Sequence, residues 1–189
     1  MSWHMVHCSE IESLRTPLQF LTFSEAYLDS AARLCAIRAA SPNESSYPRG
    51  AVILSLAFHG IELFLKAAIL EKAPEERFGG RAGHDIEYLY KRYKNLFPGA
   101  EYVIEVPFRK RGIDSSGLNL PITEELRDSV NAHERATPTD QLHRYPRNME
   151  GQPWQGIYAF EPNSFSLTIS QVQEDISRLR ESIFLGPHG

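Results

Sequence analysis

AVILSLAFHGIELFLKAAIL, residues 51–70, decides how this chain folds. Its strongly polar side chains, Ser55, His59, Glu62 and Lys66, follow one another at steps of four, three and four, which places all four on one stripe of an α-helix. The remainder of the cylinder is apolar. Such a helix is packed on most sides, with its polar stripe at the surface or lining a seam between helices. The stretch is long enough to span a bilayer, but His59, Glu62 and Lys66 make insertion costly, so it reads as the central helix of a soluble bundle.

Working outward, Phe20, Phe23, Tyr27, Ala31, Leu34 and Ile37 recur at three- and four-residue steps and predict a first long helix from about Pro17 to Ala40, with these residues as its apolar face. SPNESSYPRG, residues 41–50, is a loop that returns the chain antiparallel into the central helix. Pro74 and three glycines between Lys72 and Gly83 end that helix, and a third begins near His84. Asp85 suits the positive N-terminal end, and Ile86, Leu89, Tyr90, Tyr93 and Phe97 form the apolar face. Glu101 to Phe108 reads as a short strand, followed by the basic loop RKRGIDSSG. Thr123 opens a fourth helix that stops before Pro138. A short hairpin is expected around Ile157–Phe160 and Phe165–Ile169, and Ser170 is expected to cap a last helix with Val172, Ile176, Leu179 and Ile183 inward.

The expected fold is therefore mainly α, an up-and-down helical bundle with a small irregular or β-hairpin insertion, spanning 17–189 as one domain after a tail at 1–16. With 189 residues, 42% hydrophobic and 23% charged, the chain can bury a core without disulfides or metal. A net charge of −4 argues against broad, non-specific nucleic-acid binding and leaves room for a local basic patch. Cys8 and Cys35 match no zinc spacing, and the N-terminus lacks the basic lead and apolar core of a signal peptide. A cytoplasmic protein with neither cofactor nor metal, and no membrane contact, is the expectation.

Three motifs occur in order: A-x-x-G-I-E-L-x-L-K-A (Ala57, Gly60, Ile61, Glu62, Leu63, Leu65, Lys66, Ala67), G-H-D-I-x-x-L (Gly83, His84, Asp85, Ile86, Leu89) and R-Y-P (Arg144, Tyr145, Pro146). In this the chain resembles the HEPN family of small prokaryotic helical domains, over roughly residues 18–147 and the last helix. The resemblance implies an up-and-down bundle, usually a homodimer. It points to families that include toxin and defence ribonucleases, whose protein partner can be an antitoxin, RNA-processing proteins and non-catalytic binding modules. Ribonuclease members carry an Arg, commonly followed by a polar residue, and a His four to six positions on. Arg127-Asp128 and His133 fit that description.

On the enzyme reading, His133 moves a proton as a ribose 2′-hydroxyl attacks the adjacent phosphate, and Arg127 stabilises the added negative charge, which makes a metal-independent endoribonuclease. Six residues turn a straight helix by about 600°, or 240° net, so the pair needs a bend or a site composed across a dimer. The alternative is an ordinary surface Arg and His. His59, Glu62 and Lys66, with His84 and Asp85, read as a structural polar seam, too poor in ligands for a metal. Asp85 most simply caps its helix. Arg144, Tyr145 and Arg147 offer two guanidinium groups and a ring to a phosphate or base, or else form a loop that Tyr145 anchors on the core. On the competing reading the bundle is a non-catalytic module for a protein, nucleotide or RNA partner, and Arg144 and Tyr145 matter most.

Overall fold

The protein's structure, a computed structural model, describes residues 6–44, 46–108, 123–125, 128–129, 139–148, 150–154 and 160–186. Six α-helices stand out among them: α1 (Ser9–Glu12), α2 (Thr16–Ala40), α3 (Tyr47–Lys72), α4 (Ile86–Leu96), α5 (Thr139–Leu142) and α6 (Pro162–Arg180). A π-helical turn, Glu181–Leu185, continues α6. The fold is mainly helical, and the only β pairing among the described residues is an isolated bridge between Arg147 and Pro153.

Helix α3 is the centre, as its composition demands. Ile53, Ala57, Ile61, Phe64, Leu65 and Ala68 are buried within it, and although its length and hydropathy would suit a membrane span, 72% of its most apolar window is covered by the fold. Helix α2 packs antiparallel to it at close range. Gly60 makes this possible: a Cβ there would lie 2.7 Å from Leu28 Cγ and 3.2 Å from the Ser24 carbonyl oxygen. Ser24 Oγ donates to the Gly60 carbonyl at 2.6 Å, so the buried hydroxyl is satisfied where the helices approach.

The face of α2 that packs inward is Leu21, Ser24, Leu28, Ala31 and Cys35. This corrects the sequence reading, which chose Phe20, Phe23, Tyr27, Ala31, Leu34 and Ile37; Phe23, Leu34 and Ile37 are in fact exposed. Both sets recur at helical spacing, and the groove left by Gly60 selects the set that contains Leu28.

Helix α4 starts where its cap dictates, with the Asp85 carboxylate accepting from the backbone N–H groups of Glu87 (2.9 Å) and Tyr88 (3.2 Å). Its Ile86, Leu89 and Tyr93 are buried. The expected strand at Glu101–Phe108 is not one. A 3-10 turn covers Ala100–Tyr102, and 103–106 is extended with Ile104 and Val106 inward, but side chains of α6 take the place of a neighbouring strand. Arg178 donates to the carbonyls of Glu101 and Val103, and the Glu105 N–H donates to Asp175.

The expected hairpin is also overturned on its second arm, because Phe165–Ile169 lies inside α6. That helix begins at Pro162 rather than near Ser170. Glu161 caps it, accepting from Asn163 and Ser164 N–H groups, and these bonds hold its carboxyl down at about 2. The buried face Val172, Ile176, Leu179 and Ile183 is as read from the sequence. Ile11 and Leu14 carbonyls accept from Gln19, and Arg15 reaches Glu71 at 2.8 Å, which ties the end of the stretch read as a tail to the bundle. The first arm of the hairpin at 157–159 and most of the fourth helix, Arg127 and His133 included, lie outside the described residues.

Candidate functional site

Among the described residues, Glu62 is the carboxylate sunk to zero exposure, in the middle of the central helix. A buried charge is costly unless paired, and here partners arrive from three parts of the chain. Lys66, one turn along α3, brings Nζ to 2.6 Å from Oε1. His84, at the end of the 3-10 turn Arg81–His84, donates from Nδ1 to the same oxygen at 3.0 Å. His59, one turn before Glu62, stands with Nδ1 3.6 Å from Oε2, an ion-pair distance that is too long for a hydrogen bond. Among the described residues, Oε2 has no hydrogen-bond partner.

Arg144 completes the group. Just beyond α5, its Nη2 lies 3.5 Å from His59 Nδ1. The His59 nitrogen therefore sits between a guanidinium and a carboxylate oxygen. Tyr27 of α2 meets the His59 ring edge-on at 4.6 Å, and the Phe78 ring lies 5.5 Å beneath the Lys66 ammonium.

Burial is the largest single influence on Glu62 and pushes its carboxyl up; the contacts and charges of His59 and Lys66 together outweigh it and hold it at about 2. Glu62 is thus an anion at neutral pH, and it fixes His84 Nδ1 as the hydrogen-bearing nitrogen. Around it stand two fixed cations, Lys66 and Arg144, and two imidazoles. Lys66 is nearly buried, whereas the His84 side chain is 49% exposed and Arg144 is at the surface. The outward face is a cluster of donors over a buried anion, suited to holding a phosphate or moving a proton, with no nucleophile among its members.

Of the residues singled out beforehand, His59, Glu62, Lys66, His84 and Arg144 come together. Asp85 belongs to the cap of α4 instead. Tyr145 does not anchor its loop on the core, since the residue is 58% exposed; the loop is held by Trp154 Nε1 donating to the Tyr145 carbonyl at 2.7 Å. Arg147 donates to the Gly151 carbonyl at 2.9 Å and braces the 147–153 turn rather than joining the cluster. Arg127 and His133 are outside the described residues. Among the described residues no three His, Cys, Asp or Glu side chains group to hold a metal.

One residue escaped the sequence reading. His143, beside Arg144, lines a cavity of about 620 Å³ with Leu54, Phe108, Phe165 and Thr168. Burial pushes its imidazole down to about 4, so it is neutral at pH 7, and among the described residues its Nδ1 has no hydrogen-bond partner. Nothing in its local sequence signals this, because the burial comes from residues far along the chain. No family model, curated protein or solved structure matches this chain.

Proposed function

We propose that this is a HEPN-like protein that acts on RNA, and that the RNA meets it at His59, His84, Arg144 and Tyr145. The observation that carries this reading is convergence: three motifs separated by up to 85 positions meet at one buried carboxylate, through His84 to Glu62 and Arg144 to His59. Glu62 and Lys66 pair within α3, and His84 and Arg144 are brought to them from other parts of the chain. The outward guanidinium, the half-exposed imidazole and the neighbouring exposed tyrosine add a charge and a stacking surface, the two elements that single-stranded RNA recognition uses. The net charge of −4 limits the contact to this patch.

The test is fluorescence anisotropy of a labelled, mixed-sequence single-stranded RNA. Arg144→Ala is expected to weaken binding about tenfold and to flatten the salt dependence by about one phosphate contact. Absence of binding by the folded wild type would overturn the reading. The endoribonuclease version rests on Arg127 and His133, and it predicts RNA cleavage in EDTA that His133→Ala abolishes. Binding without cleavage leaves the non-catalytic module.

A further inference from the structure

Four distant parts of the chain wall a cavity of about 620 Å³ that shares no lining residue with the polar cluster. Leu54 comes from α3, Phe108 from the end of the extended segment, His143 from the position after α5, and Phe165 and Thr168 from one face of α6, three positions apart. Phe108 is the pivot of the aromatic wall: its ring lies 6.2 Å from that of His143, 6.1 Å from that of Phe165 and 5.5 Å from that of buried Phe58. A smaller hollow of about 210 Å³ shares Leu54, Phe165 and Thr168 and prolongs the cavity towards Phe160. The size and the lining are those of small-molecule sites, which are mostly apolar with a few placed polar groups.

Charge narrows what fits. Exposed Glu105 is the only charged side chain among the described lining residues, and it is a carboxylate, so an anion finds no counter-ion there. His143 supplies none, because burial holds its imidazole neutral at pH 7. Its Nδ1 is buried and, among the described residues, has no hydrogen-bond partner, a standing cost that a bound polar group can remove. Rotation about Cβ–Cγ is soft in histidine, so the ring that lines the cavity can turn that nitrogen to a ligand. A hydroxyl is the matching group, since it donates and accepts and therefore pairs with a neutral imidazole whichever nitrogen carries the hydrogen. Thr168 does not compete as a donor, its Oγ1 already donating to the Ser164 carbonyl at 3.3 Å. We propose that this cavity binds an uncharged aromatic molecule of two or three rings that carries a hydroxyl group, with the rings against Leu54, Phe108 and Phe165 and the hydroxyl bonded to the His143 imidazole. Arg144, the next residue, lies 3.5 Å from His59, so adjacent positions serve two sites, and the proposal stands whether or not the polar cluster binds RNA.

The experiment is equilibrium dialysis of the full chain at pH 7 against three probes of the same ring system: β-naphthol, naphthalene, which lacks the hydroxyl, and β-naphthoate, which is an anion. The wild type is expected to take up one β-naphthol per chain with a Kd of about 10–100 µM. Naphthalene is expected to bind about fivefold more weakly, for want of the hydrogen bond, and β-naphthoate at least about tenfold more weakly. His143→Phe keeps the aromatic wall and brings β-naphthol to the affinity of naphthalene. Thr168→Phe fills the cavity and abolishes binding of both, while Phe23→Ser, which removes an exposed ring on α2, changes nothing. Circular dichroism checks that each variant is folded, and the three probes on the wild type test the charge and hydroxyl requirements without any variant. A folded wild type that binds no β-naphthol at about 1 mM overturns the proposal. So does β-naphthoate held as tightly as β-naphthol, a preference for the hydroxyl that survives His143→Phe, or binding that Thr168→Phe leaves unchanged or Phe23→Ser reduces equally.

Discussion

Glu62 shows how one side chain couples stability to the candidate site. Its carboxyl is held at about 2, below the ordinary 4.5, so between those values the unfolded chain binds more protons than the folded one. Stability from this group is therefore fully present above about pH 4.5 and lost as pH falls towards 2. Urea titrations across that range should show the midpoint falling with pH in the wild type, and Glu62→Gln should remove this group's share of the slope. The same substitution leaves Lys66 nearly buried without its counter-ion. Breaking a buried pair from one side costs about 3 kcal/mol, which the urea midpoint at pH 7 will register. The sequence revealed that His59, Glu62 and Lys66 share a stripe, because helical rotation alone ensures it. It did not reveal which of them is buried or that Arg144 joins them, since 85 positions of chain separate Arg144 from His59.

Among the helices, the contact of α2 with α3 depends on a missing Cβ. Replacing Gly60 by Ala gains helix propensity of about 1 kcal/mol, but it drives a methyl group to 2.7 Å from Leu28 Cγ and 3.2 Å from a backbone oxygen. Overpacking of this kind costs about 1–3 kcal/mol, so a net loss of stability is expected, measured as a lower denaturation midpoint. The extended segment at 103–106 presents the opposite case, an element made by its neighbour. Its alternating Ile104 and Val106 were legible as period-two structure, yet its Val103 carbonyl accepts from Arg178 rather than from a strand. Arg178→Ala should release the segment from α6, and hydrogen exchange at the Glu105 amide, bonded to Asp175, should then speed up while amides in the middle of α3 stay protected.

For the chain as a unit, the polar cluster borders the face of α2 that carries exposed Phe23, Leu34 and Ile37, because Tyr27 meets the His59 ring edge-on at 4.6 Å. The positions of α2 and α3, the cap at Asp85 and the mainly α architecture could all be read from the residues, because rise, rotation and capping act over only a few positions of chain. The inward face of α2, the partner of the 103–106 segment, the burial of His143 and the meeting of Arg144 with His59 could not. Each depends on which surfaces fit when distant segments are pressed together, and helical periodicity marks an apolar stripe without saying what it packs against; in α2 the groove at Gly60 made that choice.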